Sequence, residues 1–252
     1  MKCSIVIPVL DSHEVVRRQL LLFNEIVPDD FEVIIVDDGS EEGLYEHLFH
    51  NESDLPYDSE SCSLKYDALA GCEVVTIGTM NYPLRIVITE DKQPWSQPRA
   101  HNTGAKIAHG EYLLFTDIDH IFTKECMLDV ANFDGDKMKF PRKYAVLDEN
   151  GKIVRDKETL MEYGCTEKDL NWGGCHENTF AIRRMIFCDI LGGYDEKFCG
   201  KHGGDDTDLS RRYGQLHYAK KAKRHTMGSL IYVFPDPGRD VKSIFHHLRH
   251  RK

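Results

Sequence analysis

Residues 4–40 read SIVIPVLDSHEVVRRQLLLFNEIVPDDFEVIIVDDGS, and the order of apolar and polar stretches in them decides the fold. Residues 4–10 are a β-branched apolar run carrying Pro8 and ended by Asp11, which predicts a short buried strand. Val15, Val16, Leu20 and Phe23 then recur on one face of a helix, with Ser12 placed to cap its start. Residues 31–36 form a second apolar run, closed by Asp37, Asp38, Gly39 and Ser40. Strand, helix and strand in this order, with both strands continuously apolar, predict a βαβ unit of a parallel sheet covered on both faces.

Working outward, residues 73–77 and 84–89 read as further strands. Residues 98–108 read as a helix stopped at Gly110, and residues 111–116 as a buried strand that runs into Asp117, Ile118 and Asp119. Between them, residues 50–72 are polar and without a period, which predicts a surface insertion. The second half is less regular. Residues 137–147 suggest one or two strands, 179–190 a strand followed by a helix, 206–215 a helix, and 229–234 a strand. No repeat or low-complexity tract is present.

With 252 residues, 41% of them hydrophobic, the chain can bury a core without disulfide or metal staples. No run approaches the ~20 apolar residues of a membrane span. The N-terminal apolar run is short and followed at once by Asp11 and Glu14, so it is expected to be a first strand and not a leader. Eight cysteines without regular pairing, in a chain lacking an export signal, are expected as reduced thiols in the cytoplasm. Zinc is disfavoured at Cys165, Cys175, His176, Cys188, Cys199 and His202, which contain no Cys-x-x-Cys pair.

The net charge of −10 argues against a dedicated nucleic-acid binder. Lys220, Lys221, Lys223 and Arg224, with Arg249, His250, Arg251 and Lys252 at the end, make either a solvated basic face or a peripheral contact with phosphate, anionic lipid or nucleic acid.

Acidic pairs mark the candidate site. Asp37 and Asp38 end one predicted strand, and Asp117 and Asp119 end another. Parallel α/β sheets bind ligands beyond the carboxyl ends of their strands. In extended backbone, residues i and i+2 point the same way, so Asp117 and Asp119 would converge as hard oxygen ligands for Mn²⁺ or Mg²⁺. A turn or capping pair is the bland alternative.

Further motifs join these acids: Pro8-Val9, Val36-Asp37-Asp38-Gly39-Ser40, Arg99-x-x-Asn102-x-Gly104 and Thr116-Asp117-x-Asp119. Gly192-Gly193-Tyr194-Asp195-Glu196 and Gly203-Gly204-Asp205-Asp206-Thr207-Asp208-Leu209 follow. In this order the chain resembles the family-two glycosyltransferases with the GT-A fold, over residues 4–212. The resemblance implies an α/β fold with a Rossmann-like, mostly parallel central sheet flanked by helices and a small additional acceptor-side sheet. It implies one domain overall, with a nucleotide-sugar-binding half at 1–120, an acceptor-binding and catalytic half at 121–228, and a basic tail at 229–252.

By the same resemblance Pro8, Val9, Asp11, Asp37, Asp38, Arg99, Asn102 and Asp117 fall at the nucleotide-sugar site. Asp119, with Asp117, falls at the metal, and Asp205 and Asp206 fall at the catalytic pair, whose second member is the base. This chain has Asp205 where the family usually has Glu, which leaves the division of labour between the two acids open. His225, His246 and His247 are available as a further metal ligand, with His246 or His247 favoured. Trp172, Gly173 and Gly174, with Gly204, form a candidate sugar-contacting set, and Trp95 is a second aromatic candidate. A packing role fits either Trp equally.

The function expected is transfer of a sugar, with inversion, from a nucleotide-diphosphate sugar, by default a UDP-sugar, to an acceptor hydroxyl on a glycan, a lipid-linked glycan or a modified nucleic acid. A nucleotidyltransferase would need a Gly-rich basic loop after the first strand, where Val9-Leu10-Asp11-Ser12-His13 stands instead. A non-catalytic nucleotide-sugar-binding module and a glycosyltransferase acting on hydroxylated DNA bases are the remaining alternatives. A basic tail at a membrane surface would make the protein peripheral.

Overall fold

The computed structural model describes residues 1–50, 62–78, 80–89, 96–171, 173–200 and 203–235, without side-chain detail at 49 and 50. Its first half alternates β1 (Cys3–Val9), α1 (His13–Ile26), β2 (Phe31–Asp37), α2 (Leu44–His50), β3 (Cys62–Asp67), β4 (Cys72–Ile77), β5 (Leu84–Ile88), α3 (Gln97–Ile107) and β6 (Tyr112–Phe115). There follow β7 (His120–Ile121), α4 (Lys124–Ala131), β8 (Lys137–Tyr144), β9 (Val146–Leu147), β10 (Ile153–Val154), α5 (Lys157–Glu162), α6 (Glu167–Leu170) and β11 (Gly174–Arg183). A π-turn (Ile186–Ile190), a 3₁₀ turn (Glu196–Phe198), α7 (Asp205–Tyr218), β12 (Thr226–Met227) and β13 (Ile231–Val233) complete the chain.

Among the described residues one eleven-stranded sheet runs β3-β4-β5-β2-β1-β6-β11-β8-β13-β7, with β12 beside β8, and β9 pairs β10 separately. The centre is parallel: β1 pairs with β2 and β6, and β2 with β5. In register, Val9 lies beside Asp37 and Asp37 beside Ile88, so the carboxyl ends of these strands share one edge. β11 then runs antiparallel between β6 and β8.

The unbroken apolar runs of β1 and β2 are explained by burial on both faces. Ile5, Ile7 and Val9 pack in one core with Val16, Leu20 and Phe23 of α1. Val6, Ile34 and Val36 face a second core with Ala100 and Ala105 of α3, Tyr194, and Leu209 and Tyr213 of α7. Gly104 lets α3 approach closely, since a Cβ there would stand 2.4 Å from Val6 Cγ1.

Two expectations need correction. Ser12 stands at the cap position just before α1, but its ψ of 37° is not the extended value a capping serine adopts, and its Oγ donates instead to Leu10 O (3.0 Å). The expected insertion contains a strand: β3 pairs antiparallel with β4 from Cys62 to Asp67. Its inner four residues are exposed, so no apolar alternation marks it. The turn between them is held by Asp67 Oδ1, which accepts from Leu69 and Ala70 N–H (2.7 and 3.0 Å).

Candidate active site

The edge formed by the ends of β1 and β2 is stitched together by acids. Asp37 is buried, and its carboxylate accepts from Ser40 N–H (3.1 Å) and Leu44 N–H (2.8 Å), so both oxygens shape the turn and the start of α2. Asp38 N–H donates to Val9 O (2.8 Å). Asp11, at φ +46°, donates its N–H to Ser40 Oγ (3.0 Å) and accepts from Glu41 N–H (2.8 Å). Pro8, Val9, Asp11 and Asp38 therefore sit together at the carboxyl ends of the two strands.

The end of β6 carries the densest chemistry. Asp117 Oδ1 accepts from Gln97 Nε2 (2.5 Å) and Oδ2 from Asn178 Nδ2 (3.2 Å), with His176 Nδ1 3.9 Å away. Burial pushes the Asp117 carboxyl up. The neighbouring imidazoles of His120, His176 and His101 and the Asn178 hydrogen bond outweigh it and leave it below the usual range. One donor atom from each of Asp117, Asp119 and His120 lies within 4.8 Å of the others, the one group of this kind among the described residues.

His120 is the residue the sequence reasoning missed. It looked to distant histidines, whereas the signal was adjacency, Asp-x-Asp-His. His225 lies outside the group, and His246, His247, His202, Trp95 and Trp172 fall outside the described residues. His120 is buried, its Nδ1 is 2.5 Å from Thr179 Oγ1, and its Nε2 is 3.1 Å from Arg142 Nη1. Arginine has no acceptor, so in this contact Arg142 donates and Nε2 offers its lone pair. Burial lowers the Arg142 guanidinium pKa, while Tyr144, Asp119 and Asp117 act to raise it.

β11 delivers several of these partners through an irregularity. Cys175 pairs with Pro141, but Phe180 pairs with Lys139, so residues 176–179 face a single residue of β8. The bulge sends His176 and Asn178 to Asp117, as above. Glu177 turns the other way, accepting from Lys139 Nζ (2.6 and 2.7 Å) and from Ser210 Oγ of α7. Gly174 pairs with Arg142, which puts Gly173 and Gly174 at the same edge.

α7 brings the second acidic pair. Gly204 starts it at φ +100°, and a Cβ there would meet the Phe198 ring at 2.9 Å. Asp205 is buried, and burial, reinforced by the charges of Asp206 and Asp117, raises its pKa. Asp206 is half-buried, with Oδ1 accepting from Thr207 N–H (2.7 Å). Asp117 lies near enough to act on the Asp205 carboxyl, and Asp206 on the His176 imidazole, so the ends of β6 and α7 are neighbours. Asp208 instead pairs with Arg211 (2.6 Å) and Arg212 (2.7 Å).

On α3, Arg99 reaches Glu196 (3.4 Å). Asn102 donates to Tyr194 O (3.0 Å) and Glu196 Oε1 (3.0 Å) and accepts from Tyr194 N–H (2.9 Å), so its amide ties α3 to residues 194–196. Buried His101 stacks on Tyr194 (5.1 Å, 18°), and burial takes its pKa down to about 4. The exposed Lys220, Lys221, Lys223 and Arg224 follow the far end of α7, about 20 Å from the acids along the helix. All eight cysteines are free thiols, and no described helix is long and apolar enough to cross a membrane.

The family model described as glycosyltransferase like family 2 matches residues 70–226. A poly(ribitol-phosphate) beta-glucosyltransferase of Bacillus spizizenii is 31% identical over 136 residues, covering 53% of this chain and 17% of that protein. The crystal structure of S. aureus TarS superposes with a TM-score of 0.57 at 18% identity, over 98% of this chain and 39% of TarS. This chain thus spans less than a fifth of the first relative and about two-fifths of the second. The likeness to TarS shows the GT-A fold. With the family model matched over more than half its length, the chain belongs to the glycosyltransferase-like family 2.

Proposed function

We propose that this chain is a divalent-metal-dependent glycosyltransferase that moves a sugar from a nucleotide-diphosphate donor, by default a UDP-sugar, to an acceptor hydroxyl with inversion. The observation that carries it is the convergence of Asp117, Asp119 and His120 on the space faced by Asp205 and Asp206. Two carboxylates and an imidazole whose other nitrogen meets Thr179 suit Mn²⁺ or Mg²⁺. Asp119 and His120 would hold the ion directly, and Asp117, held by Gln97 and Asn178, would face the ribose side. Such an ion, when bound, neutralises charge on the departing diphosphate.

The chain's own groups do the rest. Val9, Asp11 and Asp38 receive the base and ribose, and Arg99 contacts the nucleotide. The acceptor oxygen attacks the anomeric carbon as the bond from that carbon to the diphosphate breaks, and Asp206 takes the hydroxyl proton. Asp206 suits this role because it is half-buried, whereas Asp205 is almost fully enclosed. Gly173, Gly174 and Gly204 leave room for sugar rings. The Bacillus spizizenii relative acts, by its name, on poly(ribitol-phosphate), which makes polyol phosphates the first acceptors to test.

Thermal shift with UDP, GDP, CDP and dTDP, each with and without Mn²⁺, tests the reading. One diphosphate should raise the melting temperature, more strongly with Mn²⁺, and Asp119→Asn should abolish the Mn²⁺ increment. No shift with any diphosphate would overturn it.

A further inference from the structure

Metal binding at this site faces an obstacle built from the chain itself. The His120 ring cannot turn freely: its residue lies in β7, paired to Val233 of β13, it is buried, and Nδ1 meets Thr179 Oγ1 at 2.5 Å. Its remaining nitrogen, Nε2, accepts from Arg142 Nη1 at 3.1 Å. One lone pair cannot serve a guanidinium and a metal ion together. The Arg142 backbone is also held, since β8 is flanked by β11, where Arg142 pairs with Gly174, and by β13, where it pairs with Ile231. Only side-chain torsions can clear the imidazole.

From this geometry we infer that Arg142 and a divalent cation compete for His120 Nε2, and that a diphosphate relieves the competition by giving Arg142 another partner. The inference rests on the proposed metal-dependent function and adds an order to it: metal and nucleotide load together. A cation approaching alone must break the Arg142–His120 bond and sit beside a like charge that Asp117 and Asp119 already attract. A diphosphate offers the planar guanidinium a matching pair of oxygens, and coupling of this kind is reciprocal between the two ligands.

The test is Mn²⁺ uptake measured by the loss of the free-ion electron paramagnetic resonance signal, with and without UDP. Wild-type protein should take up Mn²⁺ weakly alone and about tenfold or more tightly with UDP. Arg142→Met should take up Mn²⁺ alone about tenfold more tightly than wild type, and UDP should add less. Arg142→Lys, which keeps the charge without the fork, should fall between them. In a His120→Ala background, Arg142→Met should give a much smaller gain, the part owed to removing a like charge alone. Near-ultraviolet circular dichroism verifies that each variant is folded. If Arg142→Met or Arg142→Lys, folded, binds Mn²⁺ no more tightly than wild type while the wild-type Mn²⁺–UDP complex forms normally, the competition is overturned and the proposed function survives. If UDP binds but neither wild type nor variant takes up Mn²⁺, the metal dependence falls and the competition falls with it.

Discussion

Replacing Asn102 by alanine should destabilise the ligand-free protein. The Asn102 amide makes two bonds to the Tyr194 backbone, at 2.9 and 3.0 Å, and one to Glu196 at 3.0 Å. The Glu196 carboxylate is about two-fifths exposed, so solvent screens that bond and it adds little. The two backbone bonds contribute about 1 kcal/mol each, and the Tyr194 N–H left without its partner costs about 1 kcal/mol more. The expected loss is therefore about 2–3 kcal/mol, or roughly 5–10 °C in melting temperature for a chain of this size. Differential scanning calorimetry on the apo protein, with Arg99→Ala as a control expected to shift little, reads the effect. An Asn102→Ala protein that melts within 1 °C of wild type would refute the structural role and return the amide to nucleotide contact alone.

Tyr194→Phe should raise the melting temperature by a few degrees. The Tyr194 Oη is buried without a hydrogen-bond partner among the described residues, and removing an orphaned hydroxyl relieves about 1–2 kcal/mol while the ring contacts to His101, Phe115 and Phe187 stay; a fall on calorimetry would show that the hydroxyl is satisfied. Lys137 is buried with its ammonium 4.1 Å from the Phe180 ring centre, and burial takes its pKa from 10.5 down to about 7. Between those values the unfolded chain holds the proton and the folded one does not, so this group makes stability rise with pH, by at most ~1.4 kcal/mol per unit. Lys137→Met should therefore be more stable than wild type below pH 7, with the advantage shrinking toward pH 10.5. A difference in urea midpoints that is flat across this window would contradict the assignment.

The parallel centre of the sheet was legible because β1, β2 and β6 are buried on both faces and so unbroken in apolar character, and because aspartates stand where each run ends. β3 was illegible for the opposite reason: its inner residues are exposed, and pairing with β4 supplies what its side chains do not. The bulge at 176–179 left no periodic mark either, yet it is what carries His176 and Asn178 to Asp117. Sequence reasoning treated Asp37 and Asp38 as interchangeable. Only the folded turn shows that Asp37 spends both oxygens on backbone N–H groups. His120 and Arg142 depend on strands far apart in sequence lying side by side, a relation that spacing along the chain does not express.

The most direct test of the central claim is release of free nucleotide diphosphate from a panel of nucleotide sugars in the presence of Mn²⁺, with Asp119→Ala and Asp206→Ala beside the wild type. The account predicts metal-dependent release from one donor, reduced about 100-fold or more in both variants. Release that persists in Asp119→Ala and in chelator, or no release from any donor, would contradict it.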